Sequence, residues 1–159
     1  VTVHERPTGA SVEWYPPKSL FDALGVEFDL DPAAGRNGDE CLLRTSVPAR
    51  RLFTAGLDGL SKPWEGHVWL NPPYGPAGVA FVDRMIAHGD GLLLLPSRTE
   101  TAIYQRALSA ATAICFLRKR LWFVRVDGVT GRSSFGSTLF AFGSWAADAL
   151  QRADLGWTT

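Results

Sequence analysis

Pro72 and Pro73 follow directly on the apolar triplet Val68, Trp69 and Leu70. Neither proline supplies a backbone N–H, and each fixes its own φ, so a buried strand through Trp69 stops at Asn71 and leaves in a stiff turn. That turn presents the Asn71 amide, the carbonyls flanking the prolines and the Tyr74 ring at the strand's carboxyl end. A planar ligand bearing an exocyclic amino group suits this set. Asn71 Oδ1 and the Pro72 carbonyl each accept one N–H, and the Tyr74 ring covers the flat face. The bland alternative is a proline-rich turn that closes a strand, with Tyr74 simply packed.

The 159 residues fit one domain with a single core, residues 1–12 forming a loose lead-in. No run approaches the roughly 18 apolar residues of a membrane span. The start, Val-Thr-Val-His-Glu-Arg, lacks a secretory pattern, so a soluble, cytoplasmic protein is expected. Cys41 and Cys115 are far apart and without metal-ligand spacing, which predicts free thiols and no metal site. Sixteen basic residues balance sixteen acidic ones, which argues against a phosphate-binding surface. Arg98, Arg106, Arg118, Lys119, Arg120, Arg125 and Arg132 nevertheless bias the second half towards basic. They make either a nucleic-acid footprint or merely a solvated face.

Leu20, Phe21 and Leu24 repeat at helical spacing over Lys18 to Leu24, and Gly25 is a natural stop. Val26 to Leu30 predicts a short buried strand, followed by Asp31-Pro32-Ala33-Ala34-Gly35, where small residues let a backbone approach a ligand. A short strand is expected within Arg50 to Thr54. Between the Asp31 loop and the Asn71 turn there is too little chain for two strand-helix units of about 30 residues each. The middle of the sheet is therefore abbreviated.

A helix is expected from Ala77 to His88, then a strand buried on both faces at Leu92 to Leu95. A helix through Ile103, Ala107 and Leu108 and a strand at Ala113 to Leu117 follow. These units predict an α/β fold, a mostly parallel sheet with helices on both faces. Leu121 to Val124 and Ser137 to Phe142 have no helix between them and predict an antiparallel pair at the end of the sheet. Trp145 to Arg152 reads as a short terminal helix.

The order Glu13-Trp14-Tyr15-Pro16-Pro17, Leu30-Asp31-Pro32-Ala33-Ala34, Asp58-Gly59-Leu60 with Trp64, Asn71-Pro72-Pro73-Tyr74, Leu95-Pro96 with Thr99, then Arg120 and Phe123 resembles the small phage-type DNA N6-adenine methyltransferases (Dam-like) over residues 13–142. Three departures stand out. Pro16 replaces a usual Thr, Lys119 replaces a usual Gly, and the second glycine of the cofactor loop gives way to Arg36-Asn37-Gly38.

The resemblance implies a class I methyltransferase-like (Rossmann-like) fold, S-adenosylmethionine as cofactor, DNA as partner and a flipped adenine as substrate, in a host cytoplasm if the chain is phage-encoded. Asn71, Pro72, Pro73 and Tyr74 would be catalytic. Trp14, Tyr15, Asp31, Pro32, Ala33, Asp58 and Asn71 would border the cofactor, and Tyr74, Arg98, Arg118, Lys119 and Arg120 the DNA. Asp31 is the residue expected to make a polar contact to the methionyl or ribose part, the alternative being an Asp-Pro turn, and Asp58 is equally readable as an Asp-Gly turn. Methylation of a protein glutamine, and a non-catalytic DNA- or cofactor-binding domain, are the competing functions. So small a chain leaves little room for a recognition domain, so relaxed specificity, or a dimer or partner that supplies contacts, is expected.

Overall fold

Leu92, Leu93, Leu94 and Leu95 send alternate side chains into two different cores, because successive residues of a strand face opposite sides of its sheet. Leu92 and Leu94 pack with Phe28, Trp69, Leu139 and Ala141. Leu93 and Leu95 pack with Leu30, Val68, Leu70 and Phe140. This division organises the computed structural model, which describes residues 14–35, 46–125 and 127–159. The expected lead-in, Glu13, the Arg36-Asn37-Gly38 departure and Cys41 lie outside the described residues.

Helix α1 (Lys18–Leu24) ends at Gly25, as its sequence predicts, and leads into strand β1 (Phe28–Asp31). Strand β2 (Ala49–Leu52) is joined to β3 (Val68–Leu70) by a single 3-10 turn, Ala55–Leu57, which is the abbreviated middle. Helix α2 (Pro76–His88), strand β4 (Gly91–Pro96), helix α3 (Ala102–Ala110) and strand β5 (Ala113–Leu117) follow with short connections. A hairpin of β6 (Trp122–Val124) and β7 (Thr130–Arg132) comes next. Strand β8 (Ser137–Phe142), helix α4 (Gly143–Ala153) and strand β9 (Gly156–Thr158) complete the order.

The main sheet runs β2-β1-β3-β4-β8-β5-β9. Strands β1 to β5 share one direction, while β8 and β9 run against them. Helices α1 and α4 cover one face through Leu20, Phe21, Leu24, Ala146 and Leu150. Helices α2 and α3 cover the other through Val82, Met85, Tyr104 and Ala107. On the first face Trp69 is fully buried, with the Phe21 ring 4.7 Å away edge-on and Phe28 at 5.5 Å. Cys115 is a free thiol in this same core.

Two expectations are corrected. The Leu121 to Val124 segment does not join the main sheet, because it pairs with β7 in a separate ribbon. The antiparallel members of the sheet are instead β8, inserted between β4 and β5, and β9 at the edge. Helix α4 is not terminal, since β9 follows it and pairs with β5.

Candidate active site

The carboxyl ends of β1, β3 and β4 open on one edge of the sheet, the edge where open α/β sheets bind ligands. Strand β3 is buried throughout, and the chain turns outward directly after Leu70. Asn71 and Pro72 are half-buried, whereas Tyr74 is 85 % exposed. Tyr74 is therefore not a packing residue. Neither the Asn71 side chain nor the Pro72 carbonyl makes a hydrogen bond among the described residues.

The turn holds its shape through the helix behind it. Pro76 begins α2, where a missing N–H costs nothing, and the Pro73 carbonyl lies directly against Gly78. A Cβ at residue 78 would meet that carbonyl oxygen at 2.2 Å. Gly78→Ala therefore sets a helix-propensity gain of about 1 kcal/mol against a backbone clash. The clash should win, with a net loss of roughly 1–3 kcal/mol. Urea denaturation checks this, and a stabilised variant would contradict it.

A cavity of about 260 Å³ opens beside the turn. Its lining includes Asn71, Pro72, Pro73 and Tyr74 of the turn, Leu94, Leu95 and Pro96 of β4, and Ile103, Tyr104, Phe123, Ser133 and Ser137. Beneath it the Tyr104 hydroxyl and Ser97 Oγ each lie 2.8 Å from Thr138 Oγ1, so three hydroxyls at the sheet's end satisfy one another. The β6–β7 hairpin borders the cavity through Phe123. Tyr15 fastens this hairpin by exchanging backbone hydrogen bonds with Val124 at 2.8 and 2.9 Å. The Trp14 ring rests against Gly131, with the Arg125 guanidinium 5.9 Å from its centroid.

Asp31 ends β1, the parallel neighbour of β3, and is only 4 % exposed. Its Oδ1 accepts the Ala33 N–H at 3.0 Å, and its Oδ2 has no hydrogen bond among the described residues. Burial raises its carboxyl from 3.8 to about 7, with the Ala33 N–H pulling the other way. Pro32 is buried as well, and its carbonyl oxygen would stand 2.0 Å from a Cβ on Gly59. Only glycine allows that approach. Trp64 Nε1 donates to the Gly59 carbonyl at 2.8 Å and fixes the turn, which leaves the exposed Asp58 beside the Asp31-Pro32-Ala33 loop.

The basic residues are not one group. Arg98 lines the Asn71 cavity, pairs with Glu100 at 3.3 Å and lies 5.5 Å from the Phe135 ring centroid. Arg118, Lys119 and Arg120 line a separate groove of about 390 Å³ with Leu20, Trp122 and Leu155. Much of the expected basic bias is also neutralised within the chain. Arg106 pairs with Asp83 at 2.7 Å, Arg118 with Asp154 at 3.1 Å and Arg125 with Asp127 at 2.8 Å. Lys119, Arg120 and Arg132 have no carboxylate partner among the described residues.

Tyr104, Ser133 and Ser137 are cavity residues that sequence reasoning passes over. The available signal was the polar pair Ser137-Thr138 opening an otherwise apolar strand.

Fold and site together define an α/β protein with a mostly parallel sheet and, at the sheet's carboxyl edge, an apolar cavity walled by a proline-stiffened asparagine turn. Against protein-family models, residues 6–149 match DNA N-6-adenine-methyltransferase (Dam), and the chain belongs to that family. Comparison with curated proteins and with solved structures found no match.

Proposed function

We propose that this chain transfers a methyl group from S-adenosylmethionine to the exocyclic N6 of an adenine extruded from DNA, on a class I methyltransferase-like fold. One observation carries the reading: Asn71 and Pro72, whose amide oxygen and carbonyl have no hydrogen bond among the described residues, line a small apolar cavity beside an exposed tyrosine. An adenine amine has two protons to give, and its lone pair is delocalised into the ring. Acceptors on both protons draw the nitrogen towards tetrahedral geometry and stabilise the positive charge that develops on it. Because these acceptors sit on a stiff turn, they need little reorganisation as charge forms.

The cavity is apolar and small enough for a single planar base, and a base stacked in a duplex cannot enter it. Stacking on Tyr74 is worth roughly 1–3 kcal/mol, which offsets much of the few kcal/mol that unstacking costs. The Asp31 loop fits the cofactor. A buried carboxylate with one open oxygen calls for a hydroxyl or ammonium donor from a ligand, and both the ribose and the methionyl part of S-adenosylmethionine offer one. When bound, that cofactor supplies an electrophilic methyl on a sulfonium. Asp31, Pro32, Ala33 and Asp58 would hold it, and Asn71, in the turn after the adjacent strand, would face it. Trp14 and Tyr15 would act through the hairpin that they fasten rather than by lying on the cofactor.

Transfer from methyl-labelled cofactor to adenine-containing duplex, adenine-free duplex and a glutamine-bearing peptide tests the proposal. Label in the first alone supports it, and label in the peptide alone rejects it. For phosphate contacts the reading singles out Lys119 and Arg120. Replacing both by alanine should shallow the slope of log K against log salt by roughly 1–2. Arg106→Ala should leave the slope unchanged, because Asp83 already holds that guanidinium. Anisotropy of a labelled duplex over a salt series checks this, and equal shifts in the two proteins would exclude the assignment.

A further inference from the structure

Ser137 is the first residue of β8, set opposite Pro96 of β4 and only 3 % exposed. Its neighbour Thr138 has its hydroxyl engaged by Tyr104 and Ser97. The Ser137 hydroxyl has no hydrogen-bond partner among the described residues. The only fully enclosed side-chain polar atom without a partner among those residues is Trp69 Nε1. The Ser137 Oγ therefore keeps an opening, and the cavity that Ser137 lines together with Asn71 is where it opens. Leaving a nearly buried hydroxyl unpaired costs free energy that an apolar residue would not incur, so a ligand group that completes its hydrogen bond is the physical reason for a serine there.

We propose that Ser137 donates its O–H to a ring nitrogen of the bound base, on one flank of the amino group that Asn71 and Pro72 hold. This inference rests on the transfer to an extruded adenine proposed above. The chemistry of the cavity is complementary to that edge of the base. Asn71 Oδ1 and the Pro72 carbonyl accept, matching the two amine protons, while Ser137 supplies a donor. An adenine has an acceptor nitrogen on each flank of its amine, N1 on one and N7 on the other. A base held at the amine alone can still pivot about that nitrogen. A third contact to a ring nitrogen fixes the plane of the base and aims the amine. Ser137 is thus a binding residue whose loss weakens the positioning of the base rather than removing the acceptors.

The test is methyl transfer by wild type and Ser137→Ala to three duplexes carrying adenine, 1-deazaadenine or 7-deazaadenine at the target. Ser137→Ala should lower kcat/KM on adenine about tenfold. On the one analogue that lacks the partner nitrogen, wild type should already be slow and the variant no slower. On the other analogue the tenfold loss should persist. Losses that multiply on both analogues, or a wild type that treats both as it treats adenine, would overturn the inference while leaving the transfer reading intact. No label on adenine from wild type would overturn both.

Discussion

Asn71→Ala is expected to lower kcat by about 10²–10³-fold while leaving affinity for S-adenosylmethionine within a factor of about two. The asymmetry follows from where the amide acts. In the proposed reaction its oxygen would accept from an amine that becomes positive only as the new bond forms, so the contact would strengthen between ground state and transition state. The Pro72 carbonyl remains in the variant and accounts for residual activity. Stability should change by less than about 0.5 kcal/mol, because the side chain is half-buried and bonds to nothing else among the described residues. Single-turnover rates, cofactor titration and urea denaturation on the same preparation separate the three quantities. Parallel loss of cofactor affinity would move Asn71 out of the base pocket.

Asp31→Asn has the second large effect, and its sign depends on pH. The folded-state carboxyl lies at about 7, above its ordinary 3.8, so the folded protein holds a proton that the unfolded chain has released. The contribution of Asp31 to stability is thus fully present below about pH 4. It is lost as pH rises to about 7 and is level above that. The raised value corresponds to roughly 4 kcal/mol. Asparagine does not titrate, so the stability of Asp31→Asn relative to wild type should climb by up to that order between pH 4 and 7.5 and then stop climbing. Denaturation at half-unit pH intervals measures the difference, and parallel pH curves for the two proteins would contradict it.

Under the proposed function the same residue should tie cofactor binding to pH. A donor brought to Asp31 Oδ2 favours the ionised carboxylate, so wild type should release a proton on binding and gain affinity between pH 6 and 7.5. The asparagine variant should bind more weakly and without that slope. Calorimetry in two buffers of different ionisation enthalpy counts the protons.

Much of the fold was legible because its signals are local. A four-leucine run bounded by glycine and proline fits a strand buried on two sides, and Gly25 and Gly89 close α1 and α2 where the apolar spacing ends. The positions of β8 and β9 were not legible. An insertion between β4 and β5 is a non-local pairing that periodicity cannot report, and Gly156–Thr158 is too short to have a period. The strand-stopping turn at Asn71 stood out because proline chemistry is intrinsic to the residue. Ser137 and Tyr104 did not, because only the return of β8 beside β4 and the packing of α3 bring them to the same cavity. The pairing of Arg118 was not legible for a similar reason: it finds its carboxylate at Asp154, 36 positions away.

In the proposed function the Asn71 turn holds an adenine amine while it is methylated. Nucleoside analysis of duplex DNA incubated with S-adenosylmethionine and the protein tests this most directly. Wild type should give N6-methyldeoxyadenosine, and Asn71→Ala little or none. A methylated cytosine in its place, or equal N6-methyldeoxyadenosine from both proteins, would contradict it.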